Sequence, residues 1–250
     1  MGEKLGRSRD FAIAQGALRG KTDAIWKSRL QNGNCCREEE LMSGEHREPE
    51  KWRFTNALMR QAILAIGEVM GERGLKIVLR QAGLARYVDD LPPNDLKQGV
   101  ATTEYAALNQ AVEEFYGRAG KGMLQRIGRA TFRYGVEEQA TLMNVAGAAL
   151  KVMPRKMRVK FILTQMAKSL MDVNAETDIE VQETDEGFVL TDFTCGVCCC
   201  REAEKPICHL YVGSIDEAVK WATGQDYQVR EIECRAMGAE ACRFLVRGKT

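Results

Sequence analysis

Three cysteines and a glutamate near the C-terminus, spaced C-x22-E-x2-C-x7-C as Cys208, Glu231, Cys234 and Cys242, constrain the fold more than any other feature of the chain. Thiolates and a carboxylate satisfy the tetrahedral preference of zinc. Two ligands around a tight loop and a third on a neighbouring element would clamp segments that could not otherwise fix their register. The plain alternative is that these cysteines are buried small hydrophobes, since free cysteine is among the most buried residue types. Four protein ligands leave no open position for water or substrate, so such a zinc would be structural and not catalytic. Three thiolates, a carboxylate and a dication sum to about −2, which makes Arg230, Arg235, Arg243 and His209 candidates for outer compensation.

The pattern upstream is helical. Residues 1–48 have weak periodicity, carry Cys35 and Cys36 in NGNCCREEE, and read as a flexible tail in which Met42 is a candidate natural start. From Trp52 apolar residues recur at helical spacing through Phe54, Leu58, Ala62, Ile66 and Val69 as far as MGERG. Thr102 or Thr103 is placed to cap a second helix through Tyr105, Leu108, Val112 and Phe115. GMLQRIGRATFRYGV and EEQATLMNVAGAALKVM predict two more, and Pro154 opens another with Val159, Ile162, Leu163, Met166 and Leu170.

Near Asn174 the period changes. TDIEVQE and EGFVLTDFTC predict a hairpin, PICHLYVG a strand, SIDEAVKWATG a helix capped by Ser214 with Asp216 and Glu217 in its first turn, and DYQVREIEC with ACRFLVRG two closing strands. The expected class is α+β: a tail over 1–48 and one domain over 49–250, with a helical part at about 49–173 and a β-rich part at about 174–248.

Composition excludes several classes. Nearly cancelling charges, at a formal net of +1, give no global field for nucleic acid or an anionic membrane. There is no apolar run of eighteen residues and no uninterrupted apolar segment near the N-terminus, so a cytoplasmic location is expected and no membrane span. In that compartment nine cysteines are not a disulfide framework.

CGVCCC brings Cys195, Cys198, Cys199 and Cys200 just upstream of Cys208, a candidate second thiol site for metal or redox chemistry; a strand end that happens to be rich in cysteine is the alternative. RATFRYG and PRKMRVK concentrate basic residues as solvated helix faces do. Met153, Met157, Met166 and Met171 would suit either an adaptable apolar pocket or ordinary core packing. With histidines only at 46 and 209, no Ser-His-Asp set can be drawn, and no G-x-G-x-x-G follows a strand, so no catalytic residue is assigned.

The stretch EIECRAMGAEACRFLV, preceded by Cys208, resembles the 4-vinyl reductase domain of bacteriochlorophyll-related proteins, hydrocarbon-binding proteins and the sensor domains of aromatic-responsive activators. The resemblance spans roughly residues 50–248 in organisation and is specific in its C-terminal part. In the aromatic sensors, one Cys, one Glu and two further Cys hold zinc, which implies the same role for Cys208, Glu231, Cys234 and Cys242. It also implies a fold similar to haem-nitric-oxide-binding and TRAPP-type domains: a helical layer on an antiparallel sheet, commonly a homodimer, with an apolar pocket between the layers. The expectation is a stand-alone domain that binds a hydrocarbon, aromatic or tetrapyrrole-like ligand and signals to a protein partner. A role in tetrapyrrole vinyl reduction and a cysteine-based redox or metal sensor are the rivals. The sensors' aromatic-contacting His and Trp have no counterpart among Trp26, His46, Trp52, His209 and Trp221, so phenol specificity does not transfer.

Overall fold

A computed structural model describes residues 52–138, 150, 152–173 and 176–249, all within the unit Lys51–Thr250. The expectations for the tail, for Cys35, Cys36 and Met42, and for most of EEQATLMNVAGAALKVM lie outside the described residues. The first amphipathic stretch forms α1 (Asn56–Gln81), which starts later than its periodicity predicts. Thr55 caps it, its hydroxyl accepting from the Leu58 N–H at 3.3 Å. The preceding Arg53–Phe54 is a short strand, β1, paired antiparallel with β2 (Val100–Ala101), and this pairing takes Phe54 out of the helix. Nor do the glycines of MGERG end α1. Gly71, at φ 72° and ψ 168°, kinks it in a backbone conformation open to almost no other residue, and the helix resumes through LKIVLRQ.

The second helix, α2, runs Thr102–Tyr116, and Ala101 holds its cap position in place of either threonine. Glu104 reaches back to accept from the Ala101 N–H at 3.2 Å, while the Thr102 hydroxyl donates to the Trp52 carbonyl. A tight 3-10 turn at Gly117–Ala119 leads into α3 (Gly120–Glu138). Pro154 precedes α4 (Arg155–Val173), as predicted from its missing N–H.

The hairpin is present as β3 (Ile179–Thr184) and β4 (Gly187–Asp192). PICHLYVG, however, contains no strand: Cys208 caps α5, which runs His209–Thr223. The reason is a close crossing with α3. A Cβ on Gly213 would lie 2.1 Å from the Gln125 carbonyl oxygen, and one on Gly128 would lie 1.9 Å from that of Leu210, so the two glycines let the helix backbones touch. Ser214 therefore sits inside α5 and donates to the Gly128 carbonyl at 3.0 Å instead of capping. Asp216 likewise lies beyond the first turn, where it pairs with Arg129 at 2.8 Å.

β5 (Tyr227–Glu233) and β6 (Cys242–Gly248) complete a four-stranded antiparallel sheet in the order β3-β4-β6-β5. On its inner face Phe188 stands opposite Val246, Leu190 opposite Phe244, and Asp192 opposite Cys242. Phe188, Leu190, Phe244 and Val246 join Ile63, Leu108, Leu124, Ile127, Leu163 and Ile215 of the helices in one buried core. A helical layer on an antiparallel sheet is the α+β arrangement expected. No helix among the described residues is long and apolar enough to cross a membrane.

Candidate metal centre and adjoining cavity

The sheet and α5 converge on one cysteine-rich point. Glu231 faces inward from β5 opposite Phe244, just before a bulge between Glu231 and Glu233 shifts the register. Cys234 follows the strand, and Cys242 is the first residue of β6. The loop between them is held by a 3-10 turn at Arg235–Met237 and by Gly238 at φ 89°, with the Met237 N–H donating to the Cys234 carbonyl at 2.9 Å. Cys208, at the head of α5, donates its backbone N–H to Glu231 Oε2 at 2.8 Å.

The four ligand atoms of Cys208, Glu231, Cys234 and Cys242 all lie within 4.8 Å of one another, and all four residues are buried. Cys208 Sγ is 3.9 Å from Cys234 Sγ and 3.7 Å from Cys242 Sγ. Tetrahedral zinc with Zn–S bonds near 2.3 Å separates its sulfurs by about 3.8 Å, so the spacing fits. Glu231 Oε1 is buried without a hydrogen-bond partner among the described residues, as a carboxylate oxygen aimed at a cation would be. Burial, reinforced by the neighbouring Cys234 sulfur, pushes the Glu231 carboxyl up to about 8, and burial also raises the Cys208 thiol well above its ordinary value. A bound cation reverses that bias by favouring both charged forms. The donor set therefore suits a metal ion.

The compensating charges are fewer than the sequence suggested. Arg230 is exposed, Arg243 pairs with Glu233, and burial holds His209 below its ordinary pKa. Arg235 contributes its backbone N–H, 3.4 Å from Cys242 Sγ, while its guanidinium lies over the Trp52 ring.

The CGVCCC cluster divides. Cys195 Sγ lies 3.6 Å from Cys208 Sγ and Cys198 Sγ 3.4 Å from Cys242 Sγ, so these two join the centre. Cys199 and Cys200 do not: their sulfurs are 3.6 Å from each other, and Cys199 also contacts the Thr102 hydroxyl. The connection carrying them is pinned from two sides. Arg201 pairs with Glu113 of α2 at 2.6 Å, and the Ala203 N–H donates to the Ala236 carbonyl at 2.9 Å.

Beside the centre a cavity of about 260 Å³ opens between the helices and the sheet. Phe54, Leu58, Phe132, Ile162, Met166 and Leu210 supply apolar wall, and Thr194–Val197 forms the side toward the cysteines. Its polar end holds Tyr211, Ser214, Asp192 and Thr194. The Tyr211 hydroxyl is buried with no hydrogen-bond partner among the described residues, and burial lifts its pKa well above the usual value. Asp192 accepts from the Thr194 N–H at 2.8 Å and its hydroxyl at 3.0 Å, yet burial, with Cys198 adding to it, pushes the carboxyl up to about 7. Of the four methionines singled out in sequence, only Met166 lines the cavity, and Met157 is exposed. Tyr211 and Asp192 carried no distinguishing signal, because a tyrosine in an apolar run and an aspartate at a strand end read as packing and turn.

Residues 191–248 match the family model of the 4-vinyl reductase domain. No curated protein matches the chain. Among solved structures, an H-NOX protein from S. oneidensis in the Fe(II)NO ligation state aligns at 13% identity over 78% of this chain and 99% of that chain, with a TM-score of 0.50. A structure bearing on the mechanism of H-NOX activation aligns at 13% identity over 77% of this chain and 94% of that chain, also with a TM-score of 0.50. At such identity the likeness is one of fold: the haem-nitric-oxide-binding type of helical layer and antiparallel sheet. The stretch from the end of β4 to the end of β6, which includes the cysteine-bearing connection and α5, is a 4-vinyl reductase domain, the family that the C-terminal motif resembles.

Proposed function

We propose that this protein is a small-molecule sensor or carrier whose ligand is hydrophobic, and whose C-terminal sheet is stapled by a structural zinc on Cys208, Glu231, Cys234 and Cys242. The cavity carries the reading. It is walled by apolar side chains, sits between the two layers of the fold and ends in an unpartnered tyrosine hydroxyl, the combination that defines most small-ligand sites. Its volume is just below the range of roughly 300–1,000 Å³ typical of drug-sized ligands, which favours a hydrocarbon or a one- or two-ring aromatic over a tetrapyrrole. The polar end suits a ligand with one hydroxyl or carbonyl on an apolar body.

Zinc when bound supplies a fixed tetrahedral crosslink, and Cys208, Glu231, Cys234 and Cys242 are the residues that would hold it. They come from the head of α5, from β5 and its following turn, and from the start of β6, so one ion ties a helix to two strands. Homodimer formation and signalling to a protein partner complete the proposal as implied by the resemblance.

Thermal shift with 2-naphthol and naphthalene tests the ligand site directly. Stabilisation by both, stronger for 2-naphthol and abolished by Met166→Trp, which fills the cavity, is the expected result. No shift with any apolar probe would remove the ligand-binding reading.

A further inference from the structure

Cys195 and Cys198 lie outside the four-residue zinc site proposed above, yet nothing separates them from it. With Cys208 and Cys242 they form a second group of four, all buried, whose sulfurs lie within 4.8 Å of one another. The two groups share one edge, the 3.7 Å pair Cys208–Cys242. Each end of that edge has a flanking thiol from the CGVCCC connection: Cys195 against Cys208 at 3.6 Å, Cys198 against Cys242 at 3.4 Å. Cys195-Gly196-Val197-Cys198 is a C-x2-C pair, the spacing by which one tight turn presents two ligands to one zinc. The turn is formed, with the Cys198 thiol directed at the Cys195 carbonyl at 3.8 Å.

We infer that the chain holds a dinuclear, thiolate-bridged zinc centre. The second zinc takes Cys195, Cys198, Cys208 and Cys242; the first takes Glu231 and Cys234 as terminal ligands, and Cys208 and Cys242 bridge the two. The inference rests on the single-zinc reading of the first site and extends it. A thiolate has lone pairs enough for two metals, so two tetrahedra sharing an edge need six ligands, and six converge here. The sulfur separations given above run from 3.4 to 3.9 Å, close to the edge of about 3.8 Å that a Zn–S tetrahedron requires.

Charge argues the same way. Five thiolates and a carboxylate carry six negative charges; one dication leaves four of them uncompensated in a buried space and two dications leave two. If the second ion were missing, Cys195 and Cys198 would have to stay protonated against ligand sulfurs, serving only as small buried hydrophobes. The pinning of their connection by Arg201–Glu113 and by Ala203–Ala236 holds the pair in register with the first site.

Zinc content per chain, measured by elemental analysis and native mass spectrometry on full-length protein purified under reducing conditions, tests this. Two zinc ions are expected in the wild type, and one in folded Cys195→Ser/Cys198→Ser. One zinc in the wild type would overturn the dinuclear centre and leave the single site standing; none would remove both. Two in the double variant would place the second ion elsewhere, and iron with acid-labile sulfide would replace the centre by a different cofactor. Exchange with Co(II) in the wild type decides the matter even if the variant fails to fold. Thiolate-to-cobalt absorbance should rise to two equivalents while the EPR intensity per cobalt falls as the second loads, because bridged ions couple. Saturation at one equivalent, or two equivalents with undiminished intensity, contradicts the bridge.

Discussion

Tyr211 is the residue whose chemistry departs furthest from what its position in the sequence suggests. Its ring packs on Phe244 at 4.8 Å between centroids, as a core aromatic should, but its hydroxyl has no partner among the described residues and faces the cavity. A buried polar group left unsatisfied costs about 1–3 kcal/mol. Tyr211→Phe should therefore leave the ligand-free protein as stable or more stable by up to about 1 kcal/mol in urea unfolding, while weakening a hydroxylated ligand about tenfold and sparing its hydrocarbon analogue. Calorimetry with the two probes checks it. Glu231→Gln offers the converse case: it keeps the size and the hydrogen bond to Cys208 but removes the charge, so metal affinity should fall by at least about tenfold in competition with a chelator. Unchanged affinity would mean that Glu231 is not a ligand. The metal-site residues were legible in sequence because ligand type and spacing are local properties. Cys195 and Cys198 could be grouped with Cys199 and Cys200 but not separated from them, since the separation depends on which way a pinned turn faces.

At the scale of elements, periodicity located α1, α2, α3, α4 and the strands of the sheet, and it failed where tertiary contact decided. PICHLYVG has the composition of a strand, yet a helix forms there because Gly213 and Gly128 allow α5 and α3 to cross backbone to backbone. Gly213→Ala should accordingly cost more than its small size suggests. The added methyl would meet the Gln125 backbone, not a side chain that can rotate away, so a loss of at least about 2–3 kcal/mol is expected from denaturant midpoints. A neutral result would show that the helices can separate at little cost. Phe54 was misread for a related reason: helical spacing includes it, but β1 pairing with β2 captures it first, and its ring then stands edge-on to Tyr105 at 5.3 Å on the cavity wall.

Across the molecule, metal and fold are expected to be inseparable. The ligands of the first site span Cys208 to Cys242 and join α5 to two strands, so chelation should lower the melting temperature and raise hydrogen exchange first in β5, β6 and the start of α5, with α1 and α2 affected less. At zinc a thousandfold above Kd the linked stabilisation is about 4 kcal/mol. Equal exchange before and after chelation would show that the metal does not support the sheet. Thr194–Val197, meanwhile, is a single strip of chain with the ligand cavity on one side and the cysteines on the other. A molecule that displaces this strip on entering must change the free energy of metal binding, and thermodynamic reciprocity requires metal loading to change that molecule's affinity by the same factor. The cavity's occupant and the cell's zinc supply are thereby made to report on one another through four residues of backbone.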